Sequence, residues 1–401
     1  MGQTTFQDVA FDSRAKVVDR TIEAARVATI PWYVWCLALA VVADAFGGYW
    51  DISWHISIGR DTFWTPAHMA VYLAGIMAGI ASGYTILTTT FGASREAREN
   101  SVSVWGFRGP LGCFIAAWGG FAMLTSAPFD NWWHAAYGLD VKIVSLPHSI
   151  LALGEGMITL GALLLICANM NRASGEYRVK LDRLLLFVGG IEIFGAALFN
   201  LESTPMEFMH SSAFYIAVAR AFPIVLIGIT CVSSSRWPAT IMAGIYTILF
   251  VAALWIFPLF PAAPKLGPVY QHVTHMVPLW FPTLLIVPAF ALDILRQKLG
   301  ARWGGWKSGI VAGVVYLAAY VAAQWPFADF LISAAARNRI FGTIYFSYND
   351  PANLTYNPYG FAQLDKTQAA MVHGMIVALI SSILFCSIAM LFGNWMRKVR
   401  R

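Results

Sequence analysis

Charge is scarce in this sequence: Asp, Glu, Lys and Arg make up 12% of 401 residues, against 58% apolar ones. Soluble domains carry roughly twice that share of charge, so a water-exposed globular fold is excluded. Also missing is an N-terminal apolar run followed by a small-residue cleavage site. Residues 1–31 instead intersperse Asp8, Asp12, Arg14, Lys16, Asp19, Arg20, Glu23 and Arg26 among single apolar side chains. No cleaved signal peptide is expected. Phe6, Val9, Val17 and Ile22 can share one side of an amphipathic helix lying on a membrane, the alternative being a partly disordered tail. Cysteine is sparse as well. Cys36, Cys113, Cys167, Cys231 and Cys386 fall within or beside apolar runs, with no CxxC spacing. They read as small core residues, not as disulfides or zinc ligands.

Long apolar runs are what the chain has. A hydrocarbon core of about 30 Å takes about 20 helical residues to cross. Stretches of that kind lie near 32–50, 64–91, 108–128, 145–169, 184–203, 211–232, 238–260, 276–295, 308–334 and 369–394. The expected fold is therefore all-α, a polytopic transmembrane helix bundle of about ten spans. A net charge of +6 could suggest nucleic acid, but the placement of the charges argues otherwise. Twenty of the 27 basic residues fall at the two ends and in alternate loops: Arg14–Arg26, Arg95–Arg108, Arg172–Arg183, Arg236, Arg296–Lys307 and Arg397–Arg401. The other loops hold Arg60, Lys142, Lys265, Arg337, Arg339 and Lys366. This is the positive-inside bias of a membrane protein with both termini cytoplasmic. It implies a lipid bilayer as partner and no nucleic acid.

On that topology all eight histidines fall at the opposite, extracytoplasmic face. A single interfacial histidine is ordinarily a hydrogen-bonding structural residue; eight on one face form a pattern. Two units repeat. Asp51-Ile-Ser-Trp-His55 is followed by Thr65-Pro66-Ala-His68, and Asp130-Asn131-Trp-Trp-His134 by Ser145-Leu-Pro147-His148. Asp and His four apart share a face if the segment is helical. A single helix from 55 to 68 would hold the imidazoles roughly 20 Å apart, so the chain must turn back. Gly59 supplies the flexible point, with Thr65 as N-cap and Pro66 in the next first turn. Each unit is then an Asp/His/His set at the mouth of a helix pair. Such donors suit zinc, copper or ferrous iron, and composition does not choose among them. The plain alternative is two hydrogen-bonded interfacial clusters.

At these residues the sequence resembles the C subunit of the particulate methane and ammonia monooxygenases, the copper membrane monooxygenase family. The string Asp51 to His68 is similar to that family's D-x-S-W-H and R-D-T-x-x-T-P-x-H signature, with Arg60 and Asp61 in place. Asp130 to His134 and Leu146-Pro147-His148 resemble its N-x-W-x-H and P-L-H elements. The resemblance implies that Asp51, His55 and His68 bind one copper ion and carry the chemistry, and that His134 and His148 belong to a second site. Asp130 departs from the pattern, standing where the family has Asn. It would give the second site a harder, anionic ligand.

The resemblance covers residues 32–170. Residues 1–31 form an N-terminal segment, and 171–401 add about five helices that the C subunit lacks. By this likeness the chain is expected to be a copper-dependent monooxygenase or its metal-binding subunit, in a bacterial inner membrane. It would use O2 and a small, weakly polar substrate, with partner subunits or a second copy. Two other classes remain open: a copper-binding or transport protein without turnover, and a haem electron carrier using His148 and His373. The 14 methionines are scattered, with Met206 and Met209 close together near His210, which weighs against transport.

Four further features add expectations. Glu192 and Arg220 are each isolated in apolar runs and are expected to pair. Glu155 follows His148 by two helical turns and should point inward below the metal set, as an interhelical hydrogen-bonding group or a proton relay. His272 and His275 have a spacing that can share an ion, and the tyrosine-rich loop 335–368 can cap the outer face.

Overall fold

The computed structural model describes residues 29–59, 62–92, 95–137, 145–263, 273–349 and 359–401. The amphipathic N-terminal segment, Arg60, Asp61, His272 and Tyr356 lie outside them. The described chain is an all-α bundle. Its long helices are α1 (Trp32–Ser57), α2 (Pro66–Phe91), α3 (Leu111–Tyr137), α4 (Leu146–Met170), α5 (Gly175–Phe199), α6 (Ser212–Ala221), α7 (Pro223–Val232), α8 (Pro238–Ile256), α9 (Ile286–Leu299), α10 (Trp306–Ile332) and α11 (Gln368–Met396). One two-stranded hairpin, Val102–Val104 with Phe107–Gly109, joins α2 to α3. Its turn uses Trp105 and Gly106 at positive φ.

Eight of these helical segments, with α6 and α7 counted as one, are long and apolar enough to cross a membrane. The chain is an integral membrane protein. The remaining two expected spans differ from an ordinary apolar helix. One is α5, whose first turns carry Glu176, Arg178, Lys180, Asp182 and Arg183.

The other, 276–295, is helical only from Ile286; residues 276–284 run without regular structure. Pro278 and Pro282 explain this, since each removes an N–H donor and disfavours the helical conformation in the residue before it. Irregular backbone at membrane depth survives only where other protein groups satisfy it. Val277 N–H donates to Ser57 Oγ at 2.7 Å and Leu279 N–H to the Tyr49 hydroxyl at 3.0 Å. Thr283 N–H donates to the Tyr246 hydroxyl and Leu284 N–H to Gln324 Oε1.

Helices α1 to α4 close into a four-helix ring, α1 packing on α2, α2 on α3, α3 on α4 and α4 on α1. Helix α5 lies against α1 and α4 and leads to α8, while α10 and α11 pack on each other. The α3–α4 crossing is tight because Gly112 and Gly119 face Gly161 and Gly154, which lets the two backbones meet. The C-terminal tail returns to the α4–α5 turn, where Asn171 donates to the carbonyls of Met396 and Val399. Tyr33, at the start of α1, is within electrostatic reach of Arg172 in the same turn. Both ends of the described chain thus lie at one end of the bundle. All five cysteines are free, four of them buried, as core residues would be.

The Glu192–Arg220 pair does not form. Arg220 is exposed on α6, and its Nε donates to Ser381 Oγ of α11 at 3.3 Å. Glu192 faces the other way, toward Thr159 and Glu155 on α4. The two charges sit on helix faces that point to different neighbours.

Candidate metal centres

The two Asp/His/His sets lie on helix ends, not in loops. Helix α1 continues through Ser57, so Asp51 and His55 are one turn apart, with His55 Nε2 3.6 Å from Asp51 Oδ2. The chain then reverses at Gly59, whose φ of +96° a residue with a Cβ would adopt only under strain. Thr65 takes the N-cap position of α2, yet its hydroxyl accepts from Thr62 N–H at 2.8 Å instead of from the helix. This turn returns His68 to α1 and places its Nε2 3.1 Å from Asp51 Oδ1.

The orientation of His68 has a chemical consequence. Its Nδ1 is 3.0 Å from the Thr62 carbonyl oxygen, which can only accept, so Nδ1 carries the hydrogen. In the neutral ring Nε2 then presents a lone pair to a carboxylate oxygen. Two acceptors at that distance call for a cation between them or a proton on the ring. Imidazoles that bind metals characteristically donate their other N–H to a carbonyl in this way.

The second set repeats the plan. Helix α3 contains Pro128, which removes one helical hydrogen bond just before Asp130, and continues to Tyr137. His134 Nε2 lies 3.3 Å from Asp130 Oδ2. Helix α4 opens on Ser145, whose hydroxyl accepts from His148 N–H at 3.3 Å, with Pro147 in its first turn. His148 Nε2 is 3.5 Å from Asp130 Oδ1. Among the described residues, Asp130, His134 and His148 form a group whose donor atoms all lie within 4.8 Å of one another. The first set is more open, with the His55 side chain 48% exposed against 18% for His68.

The remaining described histidines are differently placed. His210 is stacked between Trp325 and Phe361, with Nε2 3.0 Å from the Trp325 carbonyl, as a packed structural residue would be. His373 is exposed on α11, which packs on α6, α7 and α10, so a haem held between it and His148 finds no support. His275 bridges to Pro261 and packs against Tyr345. Burial, and then the nearby Arg339 charge, push its imidazole below the ordinary histidine pKa. A shared ion with His272 falls outside the described residues. The described part of the tyrosine loop does approach the first set: Tyr345 and Tyr348 pack with Val277 around Ile56, the neighbour of His55.

Two contributions escaped the sequence reading. The Thr62 carbonyl that orients His68 is backbone and leaves no residue-type signal. The other is Asp44, whose Oδ1 is enclosed in the bundle within electrostatic reach of Glu155 and Glu192; it could have been found, since it precedes Asp51 by seven residues and so shares its helix face. No protein-family model, no curated protein and no solved structure matches this chain.

Proposed function

We propose that the chain is a copper-dependent membrane monooxygenase, or the metal-holding subunit of one, oxidising a small, weakly polar substrate such as a hydrocarbon or ammonia. The observation that carries this reading is the doubled Asp/His/His geometry at one end of a four-helix ring, with His68 locked by its Nδ1–H. Two imidazoles and a carboxylate fit copper, zinc or ferrous iron. The resemblance of Asp51–His68 to the copper membrane monooxygenases favours copper.

Copper would supply reversible one-electron chemistry at these donors. The chain's own residues hold and orient. Asp51 offers one oxygen toward each imidazole of its set, Asp130 does the same in the other, and the Thr62 carbonyl fixes the His68 tautomer. The overall reaction places one oxygen atom of O2 in the substrate and releases the other as water. It consumes two protons and two electrons, the latter from an external reductant. The basic-residue bias supports both termini in the cytoplasm of a bacterial inner membrane, with the metal sets at the outer face. In this reading helices α5 to α11 replace a partner subunit, or serve contacts with such subunits or a second copy.

The exposure of His55 favours a second reading, in which the open set accepts copper for transfer and no turnover occurs. Copper content and O2 uptake of the purified protein, supplied with a reductant and small alkanes, alkenes or ammonia, separate the two. Bound copper with substrate-dependent O2 uptake supports the oxygenase. Bound copper with no uptake supports transfer, and absence of bound copper ends both.

A further inference from the structure

Below the histidine sets, toward the middle of the bundle, three acidic side chains from different helices converge. Asp44 lies two turns before Asp51 on α1, Glu155 lies two turns after His148 on α4, and Glu192 comes from α5, which packs on both. They form a series. Glu155 is within the electrostatic reach of Asp51, and Asp44 within that of Glu155 and Glu192. Glu192 hydrogen-bonds Thr159, one turn beyond Glu155. Among the described residues, no Lys or Arg is among the groups acting on these three. The Arg220 that could have neutralised Glu192 is turned away toward α11.

A second observation is independent of the clustering. Asp44 Oδ1 is fully enclosed and has no hydrogen-bond partner. A buried carboxyl oxygen left so in an apolar bundle is unfavourable unless a water or proton reaches it. An ionised carboxylate at membrane depth costs more, and intramembrane acids characteristically serve proton relays.

We propose that Asp44, Glu155 and Glu192 form a proton-conducting series from the middle of the bundle to the region beneath the metal sets, with Glu155 at its outer end. Each step moves one proton from a carboxyl O–H, through bridging water, to the next carboxylate; no electron moves. The role of the series in supplying protons for O2 reduction rests on the monooxygenase reading, but its ability to exchange protons does not.

Infrared spectroscopy of the metal-free protein in lipid nanodiscs tests it. Wild type should show protonated-carboxyl C=O bands that shift rapidly on transfer to D2O. Glu192→Gln and Asp44→Asn should each remove part of that signal, and Asp44→Asn should slow exchange of the remainder several-fold. Glu192→Asp, which keeps the acid, should retain both signal and exchange, separating loss of the relay from misfolding. Absence of protonated-carboxyl signal overturns the proposal, as does signal that does not exchange or is unchanged in both neutral variants. Rapid exchange in a protein that consumes no O2 would leave the relay standing and the monooxygenase reading refuted.

Discussion

Gly154 controls how closely α4 approaches α3, and through that contact the geometry of the second metal set. A Cβ added at Gly154 would lie 2.8 Å from the Gly119 carbonyl oxygen and 2.8 Å from Met123 N. Both obstacles are backbone and cannot rotate away. Ordinary contact begins near 3.4 Å, so Gly154→Ala must separate the helices by about 0.6 Å or more. His148 is six residues, or about 9 Å, along the same helix. A rigid shift of that size carries its Nε2 from 3.5 Å to about 4 Å from Asp130 Oδ1. Overpacking of this kind costs about 1–3 kcal/mol. The variant should therefore melt earlier in detergent and lose copper from the Asp130 set while keeping it in the Asp51 set. Gly156→Ala is the control, because nothing lies within 4 Å of its added Cβ. It should melt at or slightly above wild type, as alanine is the better helix former. If Gly154→Ala melts with Gly156→Ala and binds copper like wild type, the glycine contact does not position the site.

Asp293 is buried and accepts from the N–H groups of Ala239 and Thr240 and from the Thr240 hydroxyl, thereby capping α8. Asp293→Ala should destabilise the protein by about 1–3 kcal/mol in denaturant titration, and an unchanged midpoint would contradict the cap. His210→Ala should lower thermal stability through lost stacking on Trp325 and Phe361 but leave copper per chain unchanged; a drop in copper would make His210 a ligand. Asp51→Asn should weaken copper binding less than His68→Ala, since an amide oxygen still coordinates without charge. Equal losses in a metal titration would refute that ranking.

The apolar runs made most of the bundle legible, because a bilayer demands some twenty apolar residues per crossing and few other constraints do. The ends were harder to read. Asp51–His55 and Asp130–His134 looked like loop because polar residues interrupt hydropathy, although the backbone hydrogen bonding continues through them. Residues 276–284 looked like a span on hydropathy, while Pro278 and Pro282 forbade one. The paired spacing of Asp, His and a later Pro-His did reveal both sets, since turn chemistry at Gly59 and the helix starts at Pro66 and Pro147 leave few ways to fold back. The relation of Glu192 to Arg220 could not be read, because charge and depth say nothing of the direction in which two separate helices face. Nor could the relative tightness of the sets. The set with the specific family string is the more open one, and the set with the Asp130 departure is the more compact.

Copper per chain, by elemental analysis of purified wild type, His68→Ala and His148→Ala loaded under identical conditions, tests the central claim most directly. Wild type should retain copper, and each variant should lose a separate share of it while still inserting and folding, because both histidines sit at helix starts outside the packed core. Equal copper in all three proteins, or none in any, would contradict the assignment of the two sets as metal centres.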